Sequence, residues 1–286
     1  MPDRLNIGVV IGARIGGRNM VNMPFTIGAD PEVFFIKDGR YVPAIGLVGG
    51  TKESPRRLDI GAVQEDNVMA EFNIPPASTE EEFSKYIFQM LGVVKKIAKE
   101  TGHKVDIVPY ATFDGELLKH PQAINIGCIP DFNAWTYKKN PTMDADTLGN
   151  IRVAAGHIHI GVPNPDIMPN FRTNLARACD IFLGIPSLFI DSDVTRRNFY
   201  GRAGAFRPKA YGIEYRVLSN KWIEEKYLRR WVFKQTQYAV NYAYNNQKMN
   251  RGDYTNSIIE CINKGNIVAA EELCRIFKIA KPNSRI

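Results

Sequence analysis

The chain reads as an α+β protein, a curved and mainly antiparallel sheet with helices packed on one face. Three observations predict this. Short runs with apolar and polar residues in alternation recur from residue 25 to about 218, the period of a strand with one buried face. Hairpin signals or helical stretches join these runs in no regular order, unlike repeated β–α–β units. A strong helical pattern occupies 78–102, and the last part of the chain, 221–286, is largely helical.

Residues 1–24 read as a peripheral segment, and 25–286 as one domain with the helical part 221–286 at its C-terminal end. In the first segment "NIGVVIG" has the look of an edge strand. "GARIGGRN" reads as a basic turn without the GxGxxG spacing of a phosphate loop. "FTIGADPEVFFIKDGRYVPA" predicts two strands turning at Asp38-Gly39. "GLVGGTKESPRR" reads as a loop, and "AVQEDNVMAEFNIPPA" as a strand ended by Pro75-Pro76. In "STEEEFSKYIFQMLGVVKKIAKETG" Ser78 or Thr79 caps a helix, Glu80 to Glu82 complement its N-terminal dipole, and Gly102 stops it. "HKVDIVPYATFD" is a further strand, and 120–150 a long loop with little periodicity. "VAAGHIHIGVP" is a strand, and "NFRTNLARACDIFLGIPSLFI" begins as an amphipathic helix. The loop "DSDVTRRNFYGRAGAFRPKA" leads to the strand "YGIEYRVLS".

Composition is that of an ordinary globular protein of 286 residues, 44% apolar and 23% charged. No apolar run approaches the roughly 20 residues that span a bilayer. The longest, "CDIFLGIPSLFID", is interrupted by Gly184 and Pro186. No signal-peptide pattern opens the chain, so a cytoplasmic protein without a membrane partner is expected. Cys128, Cys179, Cys261 and Cys274 form no CxxC pair and are expected as reduced thiols. The formal charge of +7 suits an anionic ligand without choosing one.

Pairs of polar groups two residues apart carry the functional signal. Asp30 and Glu32, Glu71 and Asn73, His157 and His159, and Glu214 and Arg216 each fall in a predicted strand, where residues i and i+2 share a face. Any one pair has a bland reading: a turn cap, satisfied core histidines, a surface ion pair. Together they would converge on one sheet face, because buried carboxylates pair with one another's partners or bind metal. Carboxylates with an occasional imidazole suit Mg²⁺ or Mn²⁺. Between 195 and 216 the chain adds Arg196, Arg197, Arg202, Arg207, Lys209 and Arg216, interleaved with glycines and aromatics. Exposed arginines are commonly a solvated face. An ordered arginine loop over a ligand would bind phosphate or carboxylate oxygens.

The motifs "GADPEVF", "GGTKESP", "QEDNVMAEFNIPPA", "AAGHIHIG" and "RNFYGRAGAFRPKAYGIEYRVL" together resemble the bacteriophage type-two carboxylate–amine ligases, within the glutamine synthetase and glutamate–cysteine ligase superfamily. The likeness runs from about 25 to about 222. It implies a sheet like the glutamine synthetase catalytic domain, with ATP and Mg²⁺ or Mn²⁺ on its concave face. It implies metal-ligand roles for Asp30, Glu32, Glu71, His157 and Glu214. His159 would lie nearer the substrate, and Arg197, Arg202 and Arg216 would neutralise a migrating phosphoryl group. Lys52, Arg202, Arg207, Lys209 and Arg216 would contact nucleotide. Asp66 is a candidate base for the attacking amine. The first acidic pair is Asp-Pro-Glu where glutamine synthetase has two glutamates, and no separate N-terminal domain is evident.

The implied activity is an amide-forming, ATP-dependent ligation through an acyl-phosphate. Its partners would be a small-molecule or peptide carboxylate and an amine donor, in host cytoplasm if the chain is phage-encoded. Two other readings stand beside it. An iron oxygenase would use His157, His159 and Glu71 or Glu214, and would leave the arginine loop without a task. A basic protein binding nucleic acid would leave the paired carboxylates unexplained. Oligomeric state is not encoded in any motif.

Overall fold

One long strand organises the molecule, because its two faces carry different chemistry. The computed structural model describes residues 22–126, 131–141, 144–166, 168–245 and 254–282, with two short strands before them. Those two, β1 (Arg14–Ile15) and β2 (Arg18–Asn19), pair with each other; "NIGVVIG" and Cys128 lie outside the described residues. The long strand is β3 (Thr26–Lys37). Its Ile27, Ala29, Val33 and Phe35 enter the main apolar core, while Asp30, Glu32 and Phe34 fall on the opposite face. Asp38 and Gly39, both with positive φ, turn the chain into β4 (Arg40–Val42), as the hairpin signal predicts.

The loop read over 46–57 contains one short strand, β5 (Arg56–Arg57), ahead of the hairpin β6 (Ala62–Asp66) and β7 (Met69–Asn73). Helix α1 (Glu80–Glu100) begins at Thr79, not Ser78. The Thr79 hydroxyl accepts from the Glu82 amide at 3.2 Å, and the Glu82 carboxylate accepts from the Thr79 amide at 3.2 Å. Its apolar stripe, including Phe83, Ile87, Met90 and Val94, is buried against the sheet. Strands β8 (Lys104–Asp106) and β9 (Tyr110–Thr112) follow.

The described parts of the long loop hold α2 (Pro121–Ile124), β10 (Phe132–Asn133) and α3 (Ala145–Leu148). Each is too short to leave a periodic trace in sequence. Strand β11 (Ile151–Val153) pairs with β9, and β12 (Gly156–Gly161) carries both histidines. Helix α4 (Phe171–Cys179) continues through one π-helical turn, 180–184, into α5 (Ile185–Ser187). Helix α6 (Thr195–Phe199) precedes β13 (Ala205–Lys209) and β14 (Gly212–Tyr215).

Strand β13 lies inside the stretch read as a loop. β10 reaches only Ala205 and Phe206, so Pro208 sits where β13 is an edge strand and proline is tolerated. Helices α7 (Lys226–Asn245), α8 (Thr255–Asn263) and α9 (Ile267–Phe277) complete the described chain.

The main sheet runs β10-β13-β14-β12-β3-β7-β6-β5, with β4 and β8 also paired to β3; every recorded pair is antiparallel. Helices α1 and α4 lie on its apolar face and α7 packs against both, so that Ile158, Ile160, Ile213 and Tyr215 share one apolar core with Leu175, Val232 and Val240. β12 crosses hard against the turn before α7. The Trp222 indole donates to the Gly156 carbonyl at 3.0 Å, and a Cβ on Gly156 would come within 2.5 Å of both Trp222 Nε1 and Ser219 O. Phe83 stacks on Trp222 with ring centroids 5.5 Å apart.

A second, smaller core on the other face gathers Phe34, Val68, Met69, Phe113, Leu118 and Ala154. It holds the β9–β11 hairpin and the segment around α2 over one end of that face, which turns the remaining face into a walled cavity. Arg152 and Asn67 tie this wall down. Asn67 donates to the Gln122 and Ala123 carbonyls at 3.0 Å, and Arg152 donates to Asn67 Oδ1 and to the Gly149, Ile151 and Ala123 carbonyls. Among the described residues no helix is long and apolar enough to cross a membrane.

Candidate active site

Register, more than strand phase, assembles the site. On the face opposite the core, Arg207 of β13 stands across from Glu214 of β14, and Glu214 across from His159 of β12. His157 stands across from Asp30 of β3, Glu32 across from Glu71 of β7, and Glu71 across from Gln64 of β6. Directly opposed side chains in an antiparallel pair lie about 4.5–5.5 Å apart at Cβ. Three neighbouring rows of polar groups, stepped by two residues along β12 and β3, therefore share one face. The cavity above it, about 110 Å³, is lined by Asp30, Glu32, Asp66, Glu71, His157 and Glu214, with Lys52, Tyr200, Arg207 and Arg216 among the others.

Two groups of donor atoms emerge, each with its ligand atoms within 4.8 Å of one another: Asp30, His157 and Glu214, and Glu32, Asp66 and Glu71. Their electrostatics differ. Glu214 accepts from Arg207 Nη1 at 3.1 Å, Lys209 Nζ lies 2.8 Å from its other oxygen, and Arg216 Nη1 also donates to it. Arg216 is steadied from behind by Asp131 at 3.2 Å. Within the other group the paired cation among the described residues is Lys52, 3.3 Å from Asp66. Glu32 accepts from the Ala155 amide at 2.7 Å and Glu71 from Gln64 Nε2 at 3.0 Å.

Those neutral donors do not offset the crowding of charge. Burial, then Asp66 and Asp30, push the Glu32 carboxyl up to about 8. Burial, Asp30 and Asp66 hold Glu71 well above the usual carboxylate range. Burial disfavours charge on Asp30 too, yet His159 and His157 hold it well below the ordinary value. Burial and the Arg216 charge pull His157 down to about 4. Burial opposes charge on His159, but Asp30 raises it on balance. Carboxylates that would take up protons when left alone are the kind of groups a divalent cation replaces those protons on.

A cation fits here on the molecule's own terms. Asp30 Oδ1 is a buried oxygen with no hydrogen-bond partner, and it belongs to the first donor group. Five carboxylates and one imidazole form a hard donor set. The two-histidine iron arrangement is not what is built: His159 Nε2 contacts Asp30 Oδ2 at 2.9 Å, and only His157 joins a donor group.

Several expected site residues stand elsewhere. Arg197 is buried and donates to the Asp191 and Asp193 carbonyls, so its guanidinium is a structural tie instead of a phosphate contact. Arg202 donates to the Arg197 and Asn198 carbonyls and does not line the cavity. Arg197 lies within α6 and reaches carbonyls of the segment before it, while Arg202 follows α6 and reaches carbonyls of the helix itself, so backbone acceptors take up their donors. Lys209 meets Glu214 from outside the cavity lining. His159 also stays out of the lining, with Asp30 on one nitrogen and Tyr211 on the other. Asp66, expected as a free base, is one of three carboxylates in a donor group. Sequence reasoning passed over Tyr200, Arg152, Asn67 and Asp131. Only Tyr200 had a signal, as an aromatic inside the arginine-rich segment.

An antiparallel sheet thus carries two carboxylate-rich donor groups that could hold divalent ions, beside cationic side chains that could meet an anionic ligand. Residues 151–266 match the family model of the phage phiEco32-like COOH·NH2 ligase, type 2. That match covers less than half of the chain, and includes both histidines, the arginine-rich segment and Glu214. Among solved structures the chain is similar to a novel glutamine synthase homolog (TM-score 0.45, 10% identity, 89% of this chain and 67% of that one). It is also similar to GmaS without ligand (0.45, 11%, 89% and 63%) and to a GmaS–ADP complex (0.45, 12%, 90% and 69%). The chain therefore spans about two thirds of the length of these proteins, less in the case of ligand-free GmaS. No curated protein matches the sequence.

Proposed function

We propose that the chain is an ATP- and Mg²⁺- or Mn²⁺-dependent carboxylate–amine ligase whose ligase domain is residues 25–286. The observation that carries this is the pairing of two carboxylate-rich donor groups with Arg207, Arg216, Lys209 and Lys52 on one face of the sheet. In the reaction a substrate carboxylate attacks the γ-phosphorus of ATP, and the bond to the β-phosphate oxygen breaks to release ADP. An amine then displaces phosphate from the acyl-phosphate and, on losing a proton, leaves an amide. Asp30, His157 and Glu214 would hold one cation, and Glu32, Asp66 and Glu71 another. Bound there, such ions neutralise phosphate oxygens and stabilise charge in the transition state.

The chain's own residues account for the remaining steps. Arg207 and Arg216 spend donors on Glu214, and a phosphoryl group arriving in the cavity offers them stronger, bidentate acceptors. Their release also frees the Glu214 carboxylate to act as a ligand. The Ala155 amide keeps one Glu32 oxygen fixed, so that carboxylate is oriented before any ligand enters. The wall held by Arg152 and Asn67 screens one side of the cavity from water, which strengthens every interaction inside it. Three described cysteines are buried free thiols, in keeping with action in a reducing cytoplasm.

Incubation of the purified chain with Mg-ATP and pools of carboxylates and amines tests the reading. Phosphate and ADP appearing only when both pools are present, with a new amide by mass spectrometry, is the expected result. ATP turnover that ignores both pools would overturn it.

A further inference from the structure

Each histidine of "GHIHIG" has a tyrosine on the nitrogen that does not face Asp30. Tyr200 Oη lies 3.0 Å from His157 Nε2, and His157 Nδ1 lies 3.5 Å from Asp30 Oδ1. Asp30 Oδ2 lies 2.9 Å from His159 Nε2, and His159 Nδ1 lies 2.5 Å from Tyr211 Oη. The five side chains form one line, and the two rings turn opposite nitrogens toward the same carboxylate.

We propose that Tyr200 and Tyr211 are positioning residues that fix these two ring orientations, so that His157 Nδ1 and Asp30 Oδ1 are kept for a cation. This rests on reading Asp30, His157 and Glu214 as a cation group. Distances divide the roles. His157 Nδ1 is 3.5 and 3.8 Å from Asp30 and Glu214, beyond good hydrogen-bond length, whereas Nε2 is at hydrogen-bond length from Tyr200. With the ring proton on Nε2, donated to the Tyr200 oxygen, the Nδ1 lone pair points at the two carboxylates, where a cation would sit. Asp30 is divided in the same way. His159 anchors Oδ2, and Oδ1 has no hydrogen-bond partner. Metal-binding imidazoles typically give their other N–H to a fixed acceptor of this kind.

Tyr200 can serve as such an acceptor because the scaffold immobilises it. Two guanidinium groups lie over its ring, Arg196 at 5.5 Å and Arg216 at 5.2 Å from its centroid. Arg196 is fully buried and donates to the Ala154, Val217 and Leu218 carbonyls. Tyr200 N donates to Arg196 O at 2.7 Å. Gly201 takes φ +73°, and a Cβ there would approach Arg196 Nη1 to 2.2 Å, so the chain can close over that arginine only without a side chain. The arginine-rich segment thus supplies a clamp for an aromatic hydroxyl. Tyr211 is more exposed and stands at the rim, its carbonyl accepting from the Val162 amide at 2.9 Å.

The test uses the full chain, Mn²⁺ as probe, calorimetry for affinity and ring-nitrogen NMR of the metal-free protein for tautomers. Wild-type His157 is expected to carry its proton on Nε2. Tyr200→Phe keeps the ring beside its guanidiniums but should shift His157 toward the Nδ1-protonated form and weaken Mn²⁺ binding at this group about tenfold. Tyr211→Phe should alter the His159 signals alone, with a smaller loss of affinity. An unchanged His157 tautomer in Tyr200→Phe, or wild-type Mn²⁺ affinity in that variant, would overturn the proposal. His157→Ala separates the underlying reading. If it binds Mn²⁺ as the wild type does, the cation group itself is refuted, and the tautomer spectra still decide whether Tyr200 orients the ring.

Discussion

Replacing Asp180 by asparagine should change how stability depends on pH. Asp180 is fully buried at the end of α4, where it accepts from Trp135 Nε1 at 2.6 Å and from Tyr215 Oη at 2.7 Å. Burial outweighs these hydrogen bonds and raises its carboxyl from 3.8 to about 7. The folded protein thus keeps a proton that the unfolded chain releases near 3.8. Folding takes up a proton between those values, so stability falls as pH rises from about 4 through about 7. At 1.36 kcal/mol per tenfold change, the full loss is about 4 kcal/mol, of which about 2.5 kcal/mol falls between pH ~5 and pH ~8. An asparagine is neutral throughout. Its oxygen can accept from the Trp135 indole, and its amide can donate to the Tyr215 oxygen, so the network keeps both bonds. Urea unfolding of both proteins across that range is the assay. The stability difference should move in favour of Asp180→Asn by about 2.5 kcal/mol between the two ends. All other titrations cancel in the difference. Parallel curves would refute the argument, because they would mean that Asp180 ionises alike in both states.

Mg²⁺ or Mn²⁺ must displace protons from Glu32 and Glu71, so affinity should rise with pH up to about 8, the Glu32 value, by up to about tenfold per pH unit per proton. Calorimetry in buffers of different ionisation enthalpy counts those protons, and a pH-independent affinity would contradict the carboxylate shifts. Arg197→Ala should cost about 2–4 kcal/mol of stability, since the Asp191 and Asp193 carbonyls lose their donor and the buried Asp191 carboxylate its counter-charge, with little effect on nucleotide affinity per folded molecule. Arg216→Ala should do the reverse, folding while losing most ATP-dependent turnover; near-normal turnover would reduce it to a partner of Glu214 and Asp131. Gly156→Ala should destabilise by about 1–3 kcal/mol through its clash with Ser219 O and Trp222, measurable as a lower midpoint in urea.

Strand phase was legible in the sequence because it needs only the neighbouring residues. Asp30 with Glu32 and His157 with His159 share a face in the structure as their spacing requires, and Ile158 and Ile160 enter the opposite core. Helix α1 was equally legible, since its capping box and apolar stripe lie within its own span. Strand β13 was not, because a two-residue edge partner and a proline leave a weak alternation.

The sequence by itself determined which side chains could share a face, and from their types the class of ligand that face would take. Tertiary structure decided how they combine. Asp66 lies at a hairpin turn, and only the pairing of β6, β7 and β3 carries it to Glu32 and Glu71. Arg197 and Arg202 resemble phosphate contacts in the linear pattern, yet in the fold they donate to the carbonyls of Asp191, Asp193, Arg197 and Asn198, and neither lines the cavity. Tyr200 gains its place through Arg196, whose own position depends on the carbonyls of Ala154, Val217 and Leu218, distant in the chain. Local periodicity fixes the direction of a side chain relative to its own strand. The partner it meets depends on register between strands and on donors and acceptors brought together from distant segments, which no short window of sequence contains.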